Sequence, residues 1–138
     1  MKVFYKKGIA LLEVLVVLSI LAVLFLIVIP QFQKIRDAQA LKSYSAEIFS
    51  AIEKAKSQSI ASLNGSSYGI YFESDKITLF TGTSYNPNAL DNQVFEIESP
   101  VSISNISFAS GQSFIYFNRL TGYPNTTGSI TLSGGENQ

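Results

Sequence analysis

One unbroken apolar run and two hydrophobic rhythms divide this chain. Residues 9–29 are aliphatic or aromatic except for Glu13 and Ser19, and Pro30 closes the run. A helix of that length covers about 30 Å at ~1.5 Å per residue, enough to cross the hydrocarbon core of a bilayer. Pro30 fits a helix kink or the membrane exit, because its ring clashes with the preceding turn and it has no N–H to donate. Beyond it, apolar residues recur by threes and fours at Phe32, Ile35, Leu41, Tyr44, Ile48, Ile52 and Ala55. Lys34, Arg36, Asp37, Lys42, Glu47, Glu53, Lys54 and Lys56 fall mainly on the other faces. That spacing predicts an amphipathic helix over residues 31–63, continuous with the first as one long stem. Its apolar stripe should pack on the protein's own sheet, and Asn64-Gly65-Ser66 should stop it.

After Ser66 the rhythm changes to alternation in β-branched and aromatic residues, which predicts strands. Tyr68, Ile70 and Phe72 alternate with Gly69, Tyr71 and Glu73, and Ile77 and Leu79 with Thr78 and Phe80; Ser74-Asp75 suits the hairpin between them. Further strands are expected at residues 93–98, 101–108, 113–118 and 129–133, with a bulge or break where the apolar phase slips around Asn105. The pattern therefore predicts an α+β chain: a long N-terminal helix, half transmembrane and half amphipathic, packed on a small antiparallel β-sheet head at residues 64–138.

Charge orients the first segment. Lys2, Lys6 and Lys7 precede the apolar run and no charge falls between Val14 and Gln33, so the N-terminus should stay cytoplasmic and the head should be exported. The run exceeds the roughly 7 to 15 apolar residues of a secretory signal peptide, and Ile27-Val28-Ile29-Pro30-Gln31 offers no small-residue cleavage site. The formal net charge is zero, yet from Ser66 onward two bases face six acids, a net charge of −4. Such a head disfavours nucleic-acid binding, which draws on clustered Lys and Arg. With no Cys and no His, the chain has no disulfide, no thiolate or imidazole metal ligand and no histidine base. No nucleophile, base and orienting group stand out together, so no catalytic residue, metal site or cofactor is assigned and the chain reads as a non-enzyme.

Glu13 needs a partner. A carboxylate near the start of a spanning helix costs roughly 1 to 3 kcal/mol and is usually paired or functional. Cleavage after Gly8 would put the new α-amine of Ile9 about one helical turn from Glu13, and the same pair could form between neighbouring subunits. In a filament core of low dielectric that pair would set the register of stacked helices.

The run Lys6-Lys7-Gly8-Ile9-Ala10-Leu11-Leu12-Glu13-Val14-Leu15-Val16-Val17 resembles the processing site of type IV prepilins and type II secretion pseudopilins. The resemblance implies a leader at residues 1–8, cut by a prepilin peptidase between Gly8 and Ile9, and N-methylation of Ile9, where the family most often has Phe. It implies a transmembrane and assembly helix at residues 9–30, an assembly role for Glu13 and a pilin-stem bend at Pro30. Its implied partners are the membrane before assembly, other pilin or pseudopilin subunits, and the assembly platform protein with its ATPase. Its implied location is first the cytoplasmic membrane and then a periplasmic or cell-surface filament.

Three further stretches resemble the H-type minor pseudopilins and FimT-like minor pilins more loosely. They are Ala55-Lys56-Ser57-Gln58-Ser59-Ile60-Ala61, Tyr68-Gly69-Ile70-Tyr71-Phe72, and Phe117-Asn118-Arg119-Leu120-Thr121-Gly122 with Gly128-Ser129-Ile130-Thr131-Leu132 after it. The basic C-terminal surface by which some FimT-like proteins bind DNA is missing. The expected function is that of a minor filament subunit. Two alternatives stand beside it: the major repeating subunit, or a membrane-anchored binding domain that never polymerises. Type II secretion and type IV pilus machines fit equally. The Gly82-to-Asn92 stretch, with Tyr85, Asn86, Asn88, Asp91 and Asn92, offers oxygens a calcium ion could use, but it lacks EF-hand spacing and reads as a solvated connection. Arg119 reads as an exposed turn residue.

Overall fold

The apolar run and most of the amphipathic segment form a single helix, α1 (Phe4–Ile60), in the computed structural model, which describes residues 4–135 and the backbone alone at residues 4–9 and at Pro30. Helical backbone passes through Pro30 without a break, so this residue lies within α1 rather than at its end. Its ring lies outside the described residues. The chain divides into two compact units, Met1–Arg36 and Asp37–Gln138. In the first, α1 is the sole described element, and its side chains from Ala10 to Ile29 are exposed. Helical structure is what an apolar setting demands of such a segment, because it satisfies the backbone internally. Ser19 does the same for its hydroxyl, donating to the Val16 carbonyl oxygen at 2.8 Å.

The second unit packs the rest of α1 against six antiparallel strands: β1 (Tyr68–Phe72), β2 (Lys76–Thr81), β3 (Gln93–Glu96), β4 (Val101–Phe108), β5 (Phe114–Phe117) and β6 (Gly128–Gly134). They divide into a four-stranded sheet of order β3-β2-β1-β5 and a two-stranded sheet of β4 and β6. Ile48, Ala51 and Ala55 of α1 are buried with Ile70 and Phe72 of β1, Ile77 and Leu79 of β2, Val101 and Ile103 of β4 and Phe117 of β5. The fold is thus α+β, a long N-terminal helix packed on small antiparallel sheets.

Local detail corrects three expectations. Phe32 and Ile35 do not join the buried stripe: they are 61% and 54% exposed, and they fall in the first unit, where no strand is described. The stripe starts at Ala40 and Leu41 instead. The helix stops at Ile60 rather than near Leu63, because Ser62 turns left-handed (φ 51°) and a short 3-10 turn, Leu63–Gly65, follows. Strand β3 ends at Glu96 and not at residue 98, because its partner β2 begins at Lys76: Ile97 N–H still reaches the Asp75 carbonyl in the same register, and Glu98 N–H turns to the Tyr44 hydroxyl on α1.

The slip at Asn105 is a bulge. Ile103 pairs with Leu132 and Asn105 with Thr131, leaving Ser104 unpaired in the ladder. The extra residue moves the inward positions of β4 from Val101 and Ile103 to Ile106 and Phe108, so all four apolar side chains reach the core.

Candidate functional site

Gly8, Ile9 and Glu13 all lie on α1. The side chains of Lys6, Lys7 and Ile9 lie outside the described residues, as do residues 1–3 of the expected leader, so the structure describes neither the leader as a whole nor any contact at the expected cut. Helical geometry puts Ile9 and Glu13, four residues apart, on one face one turn from each other. Glu13 is exposed, and among the described residues it makes no ion pair; the ion pair described there joins Lys76 to Glu73 at 3.6 Å. Around Glu13 the helix surface is apolar, with Leu11 70%, Leu12 66% and Val14 58% exposed. The stretch is apolar and long enough to cross a membrane. A carboxylate on such a surface is out of place unless a cation meets it.

In the head, three of the stretches that carried the looser resemblance, at residues 55–61, 68–72 and 117–122, meet at the end of α1. Ser59, fully buried, accepts a hydrogen bond from Tyr68 N–H at 2.8 Å through its hydroxyl oxygen. The hydroxyl proton has two acceptors within reach, Ala55 O at 2.9 Å and Tyr68 O at 3.4 Å, and the shorter contact takes it. The Ser59 carbonyl, one of the last in the helix, accepts Leu120 N–H at 2.9 Å. Arg119 extends this clamp: its guanidinium Nη1 donates to Gly65 O at 2.9 Å and its backbone N–H to Ser67 Oγ at 3.1 Å. Arg119 is an exposed turn residue, as expected, and it also ties the turn after β5 to the segment that follows α1. Gly122 sits over Ile60, where a Cβ would come within 2.6 Å of Ile60 Cγ1.

Sequence reasoning passed over Ser59 as a functional position and did not assign Gly69 or Asn125. Ser59 had a signal, since it follows Ile48, Ile52 and Ala55 at helical spacing on the buried face. Gly69 had one too, as a glycine inside an otherwise β-branched and aromatic strand. Asn125, whose Oδ1 accepts Tyr116 N–H at 2.8 Å along the free edge of β5, had none.

The loop between β2 and β3 is held by its own polar groups. Asn86 Oδ1 accepts Asn88 N–H at 3.0 Å, and Asn92 Nδ2 donates to the Asn86 carbonyl at 2.8 Å. Among the described residues there is no group of three or more His, Cys, Asp or Glu placed to hold a metal. Tyr85 stacks on Tyr71 at 4.0 Å between ring centres and meets Phe80 edge-on, which fastens the loop to the outer face of the four-stranded sheet.

Comparison of the chain with protein-family models, with curated proteins and with solved structures returns no match. The apolar N-terminal helix and the antiparallel head are compatible with a pilin-like fold.

Proposed function

We propose that this chain is a structural subunit of a type IV pilus or a type II secretion pseudopilus, made as a membrane-anchored precursor and then built into a filament. The observation that carries the reading is the order of groups along α1. A basic pair, Gly8, Ile9 and the lone carboxylate Glu13 open an exposed apolar helix, and the same helix runs on to form the core of an antiparallel head. On this reading a prepilin peptidase removes residues 1–8, Ile9 is N-methylated, and the platform protein and ATPase lift the subunit out of the cytoplasmic membrane. The work is mechanical rather than catalytic. Exposed side chains of residues 10–29 exchange lipid for neighbouring stems, and Glu13 meets a neighbour's α-amine in a low-dielectric core, where a mismatched register leaves it unpaired. The head, joined to α1 through Ser59, presents the filament's outer surface, in the manner of a minor subunit.

Assembly is tested by disulfide-free chemical cross-linking of sheared filaments from native cells carrying the wild-type chain or Glu13→Leu. Wild-type chain is expected in the filament fraction, whereas Glu13→Leu stays in the membrane at an equal level, since Leu lowers the cost of residence in lipid. Equal recovery of both from filaments removes the role assigned to Glu13. Retention of both in the membrane, while other subunits polymerise, overturns the filament reading.

A further inference from the structure

The outer face of the four-stranded sheet carries a cleft that the assembly reading does not use. It has a volume of about 540 Å³, within the roughly 300 to 1,000 Å³ range of small-molecule sites, and lies between β1, β2 and the β2–β3 loop. Tyr71, Glu73, Lys76, Thr78, Tyr85 and Asn92 are among its lining. Strand alternation places Thr78 there: Ile77 and Leu79 on either side point into the core, so Thr78 faces the loop.

Two of the three buried side-chain polar atoms without a hydrogen-bond partner among the described residues belong to this cleft, Thr78 Oγ1 and Asn92 Oδ1. Thr78 is only 1% exposed. The orientation of the Asn92 amide is fixed, because its Nδ2 donates to Asn86 O at 2.8 Å and a flipped amide would set oxygen against oxygen. Native interiors rarely leave such groups unmatched, and two in one cleft mark a place where a polar molecule completes the hydrogen bonding. Charge narrows its class. Glu73 and Lys76 compensate each other at 3.6 Å, so the cleft has no net charge to offer an ion. One wall is apolar and rigid, the Tyr85 ring being held flat against Tyr71 at an interplanar angle of 10°.

We propose that this cleft binds a neutral polyhydroxylated ligand with the chemistry of a pyranose sugar. Ring hydroxyls would donate to Asn92 Oδ1 and exchange a hydrogen bond with Thr78 Oγ1, while the C–H face of the ring packs on the Tyr85 side of the cleft. The proposal holds whether or not the chain polymerises. It is tested on the full chain, isotopically labelled, in a phosphocholine detergent that carries no sugar. The probes are methyl β-D-glucopyranoside, methyl β-D-galactopyranoside and N-acetyl-D-glucosamine, followed by β-linked trisaccharides of each. Resonance shifts confined to Thr78, Tyr85 and Asn92 and saturating at millimolar sugar are expected. Tighter binding of a trisaccharide points to a glycan chain as the source, and equal binding to a free sugar. Thr78→Val, nearly the same shape without the hydroxyl, should weaken binding at least about threefold without lowering the thermal midpoint. Asn92→Ala provides the second variant, on an irregular loop, with the same expected loss. Absence of shifts at tens of millimolar for every probe, or unchanged binding in both variants, overturns the proposal.

Discussion

Ser59 ties the end of α1 to the start of β1 and to the distant turn at Leu120, and it does so with one hydroxyl and one carbonyl. Replacing it by Ala keeps the packing volume but leaves the buried Tyr68 N–H without its acceptor, so Ser59→Ala should cost about 1 to 3 kcal/mol. Thermal unfolding of the full chain in detergent, followed by near-ultraviolet circular dichroism, should show the midpoint several degrees lower; an unchanged midpoint contradicts the tie. Gly69 makes a different demand. A Cβ there would lie 2.5 Å from Phe80 Cζ and 2.6 Å from the Ile115 carbonyl oxygen, so Gly69→Ala should destabilise by about 1 to 3 kcal/mol. The Phe80 ring can be trimmed, but the carbonyl belongs to the neighbouring strand. The double variant Gly69→Ala/Phe80→Leu should therefore remain less stable than Phe80→Leu alone in the same measurement. Local pattern marks both positions, Ser59 by helical spacing and Gly69 as a glycine inside a strand, but it does not name the groups they meet. A serine in a helix and a glycine in a strand look like small defects until the segments that meet them are known.

Among the elements, α1 was the most legible, because a 3.6-residue period over many turns specifies a face without reference to partners. The period did not show where burial begins. Phe32 and Ile35 continue the stripe perfectly well yet are exposed, and what decides this is the extent of the strands, a non-local property. The inner face of α1 narrows at Ala51 and Ala55, 3% and 0% exposed, where the sheets approach the helix backbone. Ala55→Leu should therefore overpack the core at a cost of about 1 to 3 kcal/mol, whereas Phe32→Ser should stay within about 0.5 kcal/mol of the wild type. Chemical denaturation of both variants checks the contrast, and a large loss in Phe32→Ser would place the packed face wrongly. The β4 bulge was legible from the switch of apolar residues from odd to even positions. Division of the strands between two sheets was not, since alternation says which face a side chain takes and nothing about which strand lies alongside.

At the scale of the molecule, the sequence places its polarity unevenly. Bases cluster before the apolar run, one carboxylate lies inside it and acids collect in the head, so the zero net charge hides a chain with distinct ends. That order made the segment at residues 9–29 legible as a membrane-length helix; the roles of Gly8, Ile9 and Glu13 belong to the proposed function. The clamp around Ser59 and Arg119 and the polar cleft beneath Tyr85 were not legible, because both depend on strands and loops brought together only by folding. The proposed function makes this chain a processed filament subunit rather than a permanent anchor. The most direct test is the intact mass and N-terminal sequence of the chain recovered from native membranes and from sheared filaments of cells with an active prepilin peptidase. A chain that starts at N-methylated Ile9 is expected in both fractions. A chain found in the membranes alone, still carrying residues 1–8, would overturn the filament reading and leave an anchored domain.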